Sequence, residues 1–501
     1  MAVSTFRHGV TWRDVPTSIV GPITADSGIP VAVGAAPIHM ADDPAPLNVP
    51  RVYYSYEEAV NEMGYSDDWV SYGLCEVMYV YFVLHNTGPI ILINVFDPAT
   101  NMAAPVVPTD LPVVNKQVVV DAHDVVLSTI IVKDAAGAIT YMAGTDYSAA
   151  YDSDGHVVIS ILPSPGTIPP AVTTLKVGYT EADPSAIDKA DIIGGVDAIT
   201  DKGTGLEAIE DVFPTHSIVP GILLAPGYSQ EPEVAAVLAA KSDNINGCFR
   251  CVSYVDVDST TVIRAQDVND WKNDNNYVSN RLAVMWPRAG LDEKQFWLST
   301  QVAALTQWVD HSNAEIPYES PSNKHLKMNK TVAGPLDTPT DLFFSKASAD
   351  SLNGQGVVTA INWLSGWKAW GNRMSVFPSE SDVKDMWIPV RRMTDFIGNT
   401  IVLTVFQFVD KPGNRRLIDS IIDSLNIWLN SLVAAGYLLG ARVEFRHDEN
   451  ATTDLLMGHY RFHVYQASPI PAEWIEFLIE FDVNYLQTLF TPVSTQTPAA
   501  A

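Results

Sequence analysis

The sequence predicts an α+β protein of several domains: an α/β core sheet, an inserted β-sandwich, and an α+β C-terminal domain with extended chain ends. Three observations lead to this prediction. The chain has 501 residues, more than one ordinary domain. Strand and helix patterns alternate over residues 184–370, whereas residues 101–183 show strands and turns without a helix. Residues 371–485 combine the strongest amphipathic helix of the chain with strands.

The composition restricts the class of function. The chain carries 58 Asp and Glu against 30 Lys and Arg, a net charge of −28, and 47% of its residues are hydrophobic. This hydrophobic content can fill large cores and excludes global disorder. The acidic balance argues against contact with nucleic acid or anionic lipid, which requires basic surfaces. The apolar runs are too short for a membrane span and no signal sequence is recognisable, so we expect a cytosolic protein without membrane insertion.

The cysteines indicate how the fold is held together. Three of them, Cys75, Cys248 and Cys251, are too few for a disulfide framework in a chain of this length. We interpret all three as buried strand residues, so packing alone must stabilise the fold.

The first hundred residues divide into an arm and the first part of the core domain. Residues 1–20 place apolar side chains among charged ones without a regular pattern. They are predicted either to dock as an arm on another surface or to fold back on their own domain. Within residues 21–100 we predict strands at 31–38 and 90–96 and a short helix at 56–64. The arm residues singled out are Phe6, Val10, Trp12 and Val15.

Two domains are predicted next. Residues 101–183 contain strands at 125–132, 157–162 and 173–179 separated by Asp, Gly and Pro turns, which is typical of a β-sandwich. Residues 184–370 form the rest of the α/β core. Strands are predicted there at 218–225, 249–257 and 282–286, and helices at 232–241 and 293–309.

The C-terminal domain, residues 371–485, begins with a predicted strand at 401–408. A helix follows at 414–435, with Asn414 as its N-cap and Gly436 as its C′ residue. Three further strands are predicted, at 443–446, 460–464 and 475–485. The last two alternate apolar and polar residues, which indicates one buried and one accessible face. Residues 486–501 are predicted to form an extended arm.

Short motifs that occur in enzymes lack their required context here. Gly203-Thr204-Gly205 fits part of a dinucleotide fingerprint, but no buried strand directly precedes it and acidic residues surround it. Cys248 and Cys251 form a Cys-x-x-Cys without a second ligand pair. Ser365 and Lys368 match Ser-x-x-Lys without the accompanying motifs in order, and the Asp152–Gly155 turn lacks the ligand spacing of a calcium loop. We therefore predict no catalytic, cofactor or metal site.

Six stretches between Thr204 and Tyr485 form a more specific pattern. They are residues 204–213 running into the 219–227 strand, residues 281–287, 302–323, 352–373 and 391–393, and residues 471–475. Their types and order resemble the tail sheath protein of contractile phage tails and related contractile injection systems. The inserted module at 101–183 also lies where that family carries an outer insertion, whereas the first hundred residues match only loosely.

The resemblance implies a fold and a function. It implies that the α/β core is subtilisin-like in fold only, because the chain lacks the Asp-His-Ser order of that protease and no protease activity is expected. It implies a structural, non-enzymatic subunit of the virion tail, assembled in the cytoplasm of the host bacterium. The implied partners are further copies of this chain, in hexameric rings stacked helically, the tail tube protein, and baseplate and tail terminator proteins.

The resemblance also assigns candidate contact residues. Sheath subunits are linked by terminal arms that add strands to a sheet of a neighbour, a form of β-augmentation. Besides the N-terminal residues above, it assigns this role to Ile475, Phe477, Ile479, Phe481, Leu486, Leu489 and Phe490. The family places the region of the 414–435 helix against the tube.

Three cations near the start of this helix are the predicted tube contact. Lys411 precedes the helix, and Arg415 and Arg416 lie in its first turn, where cations oppose the helix dipole. We therefore hypothesise that they pair with acidic residues of the tube. The alternative is a solvated end of a core helix.

One further class of function stays open at this stage. A β-sandwich combined with an α/β domain also occurs in cytosolic enzymes and carbohydrate-binding proteins.

Overall fold

The computed structural model describes residues 22–152, 154–163 and 165–490, without the side chains of residues 487, 488 and 490. The described chain up to Ile470 is one compact unit, and the segment from Pro471 is a second unit, described by itself.

The described residues contain 21 strands and 12 α-helices. The strands are β1 (Pro30–Gly34), β2 (Arg51–Tyr53), β3 (Ile90–Asn94), β4 (Val106–Pro112), β5 (Gln117–Val120), β6 (Ile131–Lys133), β7 (Thr140–Tyr141), β8 (Tyr147–Tyr151), β9 (Val157–Ile161), β10 (Thr174–Tyr179), β11 (Ile222–Leu224), β12 (Val252–Asp256), β13 (Leu282–Met285), β14 (Arg288–Leu291), β15 (Lys294–Phe296), β16 (Lys330–Ala333), β17 (Thr340–Leu342), β18 (Val357–Asn362), β19 (Trp367–Trp370), β20 (Gly440–Glu444) and β21 (His463–Ala467). The helices are α1 (Tyr56–Met63), α2 (Gly73–Met78), α3 (Lys189–Ile193), α4 (Val212–His216), α5 (Pro232–Asp243), α6 (Val268–Asp274), α7 (Leu298–Ser312), α8 (Lys346–Asn353), α9 (Val383–Met386), α10 (Ile388–Val405), α11 (Arg415–Ala434) and α12 (Thr452–Leu456).

An eight-stranded sheet forms the centre of the first unit, in the order β19-β18-β13-β12-β11-β1-β3-β2. Neighbouring strands from β18 to β3 are parallel, and each edge strand runs antiparallel to its neighbour. All five residues of β1, β3 and β12 are buried, as expected for parallel strands covered on both faces. The predicted parallel α/β sheet is therefore observed, and it unites strands from before and after the inserted segment.

The inserted segment forms two sheets that face a separate core. One sheet has the order β4-β10-β6-β7 and the other β5-β9-β8, with antiparallel pairing throughout. The inward-facing residues alternate with exposed ones, as in Gln117–Val120, where Val118 and Val120 are buried. This core contains no residue of the central sheet, so the two-layer module has a hydrophobic core of its own.

A third core lies between α10, α11 and the two-stranded sheet β20-β21. It includes Phe396 from α10, Leu425 and Trp428 from α11, and Val443 from β20. The prediction of a strand at 401–408 is wrong, because these residues continue α10 and end in a 3-10 turn. The run is rich in β-branched and aromatic residues, which favours a strand locally. Helix α10 nevertheless forms because it packs between two cores, so apolar residues occupy both of its faces and hide the helical period.

Several other sequence-based boundaries also need correction. Residues 294–296 form strand β15 in a small antiparallel sheet, and the helix predicted at 293–309 begins only at Leu298. The strand predicted at 460–464 starts at His463, because Asn450 binds the backbone of Arg461 and holds the preceding residues in a loop.

The cysteine prediction is only partly correct. Cys75 is buried in helix α2, not in a strand, and Cys251 is buried directly before β12. Cys248 is exposed in the turn that precedes this strand. A Cys-x-x-Cys at a turn places its two side chains in different environments, and the sequence alone does not reveal this.

Candidate assembly interface

Helix α11 organises the C-terminal part of the first unit. The Asn414 Oδ1 atom accepts a hydrogen bond from Leu417 N at 3.0 Å, and Gly436 has a φ of 86°, so the predicted N-cap and C′ residues are confirmed. Among the described residues, α11 is the one helix long and apolar enough to span a membrane. Its Trp428 and Leu429 instead pack in the third core, which identifies it as a core helix of this fold.

The predicted tube-contact cations lie together where α11 begins. The Arg415 Nε atom is 2.8 Å from Asp419 Oδ1, and Arg416 is exposed. The Lys411 Nζ atom lies 4.8 Å from the centre of the Phe408 ring. The 3-10 turn and loop before α11 also expose apolar side chains, with Phe406 74% accessible. The structure thus gathers the three cations beside an apolar surface, and their contact with a tube stays a prediction.

The sheet β20-β21 has one covered edge and one open edge. Asn426 of α11 accepts from Val443 N at 2.8 Å and donates to Val443 O, so it covers the outer edge of β20. In the described chain, no strand pairs with the outer edge of β21. An isolated two-stranded sheet is marginally stable, and an open edge can accept a strand from another chain.

Paired charges and an aromatic side chain surround this small sheet. Arg442 lies over the ring of Tyr465 at 3.8 Å, and Arg446 donates to the hydroxyl of the same tyrosine at 2.8 Å. Both arginines also form ion pairs at 2.7 Å, Arg442 with Glu444 and Arg446 with Asp448. The sheet therefore presents aromatic groups and balanced charges beside its open edge.

The C-terminal segment alternates apolar and polar residues as a strand does, but it pairs with no strand in the described chain. Residues 471–482 adopt no regular secondary structure, and a 3-10 helix follows over Val483–Phe490. The strand predicted at 475–485 is thus not formed, and in the described chain these residues pair with no strand. The apolar residues predicted as intersubunit contacts are exposed: Ile475 68%, Phe477 83%, Ile479 95%, Phe481 74%, Leu486 48% and Leu489 76%.

The remaining predicted arm residues cannot be placed. Phe6, Val10, Trp12 and Val15, and residues 491–501, lie outside the described residues, as does the side chain of Phe490. Their role in the arms stays a prediction.

A buried network of charges fixes α10 to the central domain, and sequence reasoning missed it. Arg392 makes a two-point contact with Asp310 of α7 and donates to Ser27 O at 2.9 Å. The side chains of Arg392 and Asp310 are 3% and 0% accessible. Burial lowers the pKa of Arg392, but the charge of Asp310 outweighs this effect, so the net shift is upward and the guanidinium stays charged.

A second part of the network lies beside the first. Asp395 bonds both Arg281, which directly precedes β13, and Arg391 of α10, each at 2.8 Å. Burial raises the pKa of Asp395, and the two arginines oppose this shift. Residues 391–393 and Asp310 belong to the stretches that resemble the sheath family, but the sequence pattern does not reveal that they form ion pairs. Opposite charges in otherwise apolar helices are the signal that could have paired them.

The structure also explains the enzyme-like motifs that were discounted. The Gly205 amide, which a phosphate would need, donates to Asn48 Oδ1 at 2.8 Å. Asp152 Oδ1 accepts from the backbone amides of Asp154 and His156 at 2.9 Å each, in the hairpin turn between β8 and β9. Ser365 lies in the turn between β18 and β19, where its hydroxyl contacts the backbone of Leu364. None of these contacts forms a catalytic arrangement.

Comparison with known proteins identifies relatives of this chain. It is 29% identical over 497 residues to the tail sheath protein of Burkholderia phage BcepMu, covering 97% of this chain and 98% of that protein. It resembles the sheath of an extracellular contractile injection system, PVC, in the contracted state, with a TM-score of 0.57, 14% identity, and coverage of 96% and 99% of the two chains. It also resembles the contracted helical sheath of the anti-feeding prophage, with a TM-score of 0.54, 14% identity, and coverage of 96% and 100%. No family model matches the chain.

Proposed function

From the relationship of this chain to contractile tail sheath proteins, which confirms the resemblance found in the sequence, we propose that it is a structural subunit of a contractile tail sheath. In this proposal the subunits polymerise as stacked hexameric rings around a tail tube and contract to drive the tube through the envelope of the host. The observation that carries the proposal is the exposed, alternating C-terminal segment of a chain related to sheath proteins. It favours a structural role over an enzymatic one.

The subunits are linked by exchange of terminal arms. The segment 475–485 of one copy adds to the open edge of β21 in a neighbour, and residues 1–20 contribute a further strand. The alternation of the segment supports this pairing, because Ile475, Phe477, Ile479 and Phe481 would share one face of the added strand. Each main-chain hydrogen bond of such a strand contributes about 0.5–1.5 kcal/mol. Several bonds in every arm keep neighbours connected while the subunits rotate during contraction.

The surface at the start of α11 is the contact with the tube. Lys411, Arg415 and Arg416 pair with acidic groups of the tube protein, and the exposed Phe406 and Val409 pack beside them. Exposed ion pairs are individually weak. Each subunit contributes one set of these contacts, and together they fix the register of the sheath on the tube. Because the contacts are ionic and exposed, binding of the sheath to the tube weakens as the salt concentration rises.

Contraction requires no cofactor in this mechanism. The extended sheath is metastable because tube and baseplate template its growth, with a tail terminator protein closing the other end. Contraction then releases the difference in contact free energy between the two lattices. The subunit is a component of the virion tail, assembled in the bacterial cytoplasm, without contact to nucleic acid and without membrane insertion.

Electron microscopy of the overexpressed protein tests the proposal. Wild-type protein should form tubes or rings of sheath. Deletion of residues 1–20 or of 486–501 should leave a folded monomer that does not polymerise. Monodisperse small oligomers of wild type, with melting that shifts on addition of a small ligand, would support the enzyme or carbohydrate-binding alternative and overturn the proposal.

A double substitution tests strand exchange more sharply than a deletion. Ile479→Pro with Glu480→Pro removes two adjacent amide donors, so one of them must face the neighbour whichever way the strand is oriented. The matched control, Ile479→Thr with Glu480→Thr, changes the same side chains and keeps both donors. The proline variant should fold and lose polymerisation, while the threonine variant should lose much less. Equal polymerisation of the two variants would argue against β-augmentation at this segment.

A further inference from the structure

The two most exposed large apolar side chains described between residues 22 and 470 lie in surroundings of opposite charge. They are Ile199, which is 94% accessible, and Phe343, which is 85% accessible. A single exposed apolar side chain is common on protein surfaces. It is exposure together with the surroundings described below that indicates two contact surfaces, which the terminal arms and the tube contact do not account for.

Ile199 lies at the tip of a short acidic loop. Val196 bridges to Gly203 at the base of this loop, and Asp197 Oδ1 accepts from the amides of Ile199 and Thr200 at 2.7 and 2.8 Å. The loop is thus held by its own hydrogen bonds, with Ile199 pointing away from the protein. Residues 181–211 around it contain nine carboxylates against two lysines.

Phe343 borders a small aromatic pocket, here called the Trp363 pocket. Its volume is about 130 Å³, and it is lined by Phe343, Phe344, Lys346, Ile361, Trp363 and Trp367. This volume suits one branched side chain, whereas sites for oligosaccharides and cofactors measure roughly 300–1,000 Å³. The pocket is therefore better suited to a side chain of a protein than to a free ligand.

The rim of the Trp363 pocket is a hairpin turn held in an unfavourable conformation. Leu364 and Ser365 join β18 to β19 with φ angles of 37° and 67°, where Asn and Gly are the usual residues. Leu364 is nevertheless 77% accessible. A bulky apolar residue with a left-handed backbone, exposed beside an open pocket, is typical of a binding surface rather than of a turn selected for folding.

Lysines outnumber carboxylates around the pocket. Residues 357–370, which form the hairpin, and residues 323–331, which run along its edge, contain four lysines and no carboxylate. Neighbouring segments supply Glu319, Asp341 and Asp350, which form ion pairs with Lys324, Lys330 and the pocket residue Lys346 and leave Lys327 and Lys368 outside these pairs. In a chain with almost twice as many acidic as basic residues, this is a locally basic surface. Its complement is an acidic surface with a protruding apolar side chain, which the Ile199 loop provides.

We propose that the Ile199 loop of one copy docks into the Trp363 pocket of a second copy. The contact joins two different surfaces, so it is heterologous and continues from subunit to subunit into rings or helical stacks. It rests on the proposed self-assembly and adds a contact between rigid parts of neighbouring subunits, separate from arm exchange and from the tube.

Chemical cross-linking within assembled particles tests this contact. In a background with Cys248→Ser, which removes the exposed native thiol, Ile199→Cys and Leu364→Cys proteins are coexpressed and treated with a short bismaleimide. The control pair is Ile139→Cys with Leu364→Cys, because Ile139 is exposed in a hairpin turn of the sandwich. We expect a 199–364 dimer band from polymers only and none from the control pair.

The outcomes separate this contact from the proposed function. Polymers without the 199–364 band overturn the contact and leave the sheath function intact. A 139–364 band would show that the sandwich turn at Ile139 reaches the pocket, which would also contradict docking of the Ile199 loop. Absence of polymers from wild-type protein overturns both proposals.

A surface substitution provides an independent measurement. Ile199→Ser should raise the concentration needed for polymerisation roughly tenfold, whereas Ile139→Ser should not change it. The side chain is almost fully exposed in the monomer, so folding should be unaffected. Unchanged polymerisation of Ile199→Ser would overturn the contact.

Discussion

Single residues attach α10 to the central domain, and their burial determines how much each one contributes to the free energy of unfolding. Arg392 and Asp310 are almost inaccessible, whereas Arg415 and Asp419 form a geometrically similar pair in which Arg415 is 86% accessible. Water screens the exposed pair and leaves the buried pair unscreened. The free-energy cost of losing one partner should therefore differ strongly between the two pairs.

Substitution of one partner in each pair tests this difference. Asp310→Asn leaves the Arg392 guanidinium buried without its counter-charge, and we expect a loss of about 3–5 kcal/mol in the free energy of unfolding. The matched control, Asp419→Asn, should change it little. Urea titration followed by fluorescence measures both. A loss at Asp310 as small as that at Asp419 would mean that the network does not hold α10.

A buried histidine makes the central domain sensitive to acid. His85 bonds Gln301 at 3.0 Å, and burial lowers its pKa to about 4. In the unfolded chain the pKa of histidine is about 6.5, so the unfolded state takes up the proton first as the pH falls. The stability contributed by neutral His85 is present above pH ~6.5 and is lost between that pH and pH ~4, by up to about 3 kcal/mol.

The variant His85→Gln removes this titration and keeps a polar group opposite Gln301. Its free energy of unfolding, measured in urea at pH 7, 5.5 and 4.5, should fall less steeply with acid than that of wild type. Parallel curves for wild type and His85→Gln would contradict the assignment.

At the scale of elements, different parts of α11 serve folding and contact. Its buried face fills the third core, while cations occupy the first turn, where the helix dipole disfavours them. Apart from the ion pair of Arg415 with Asp419, local stability does not explain these cations, which is the reason for proposing a contact with another molecule.

Charge reversal of Arg415→Glu with Arg416→Glu tests the tube contact. It removes the pair with Asp419 but places acidic groups where the dipole favours them, so the stability of the fold should change by less than about 1 kcal/mol. Assembly of sheath on tubes at moderate salt should fall. Reversal of two sandwich cations, Lys116 and Lys133, is the control. Normal assembly of the α11 variant would remove the tube hypothesis.

At the scale of the whole molecule, the sandwich is an insertion whose ends meet. Met102 bridges to Ala182, and Asp183 N donates to Asn101 O at 2.9 Å. Its core is separate from that of the central sheet. It contacts the central domain through Val126 and Ala182, which are buried in the central core, and through polar groups such as Tyr72 and Asp124, 2.8 Å apart. The module should therefore fold without the rest of the chain.

Expression of residues 101–183 alone tests this expectation. The fragment should unfold in one cooperative transition, because its sheets bury their shared face without help from the core domain. Thermal denaturation followed by circular dichroism measures this, with residues 371–470 as a comparison fragment that should stay unfolded after losing the partners of α10. A disordered sandwich fragment would show that the central domain is needed to complete it.

The sequence by itself determined those elements whose residue pattern shows directly which side chains are buried and where the element ends. Helix α11 was predicted with its caps because its apolar residues recur at helical spacing and Asn414 and Gly436 have local roles. The parallel sheet was predicted because fully buried strands are continuously apolar. The family resemblance, carried by short stretches in order, predicted the relationship that the comparisons confirm.

The tertiary structure decided what depends on partners far away in the chain. It made residues 401–405 helical because two cores flank them, and it paired Arg392 with Asp310, 82 residues apart. It left 475–485 unpaired, although the same alternation forms strands wherever a neighbour is available. Periodicity describes the burial that a segment requires, and only the folded chain, or a second copy of it, determines which surface satisfies that requirement.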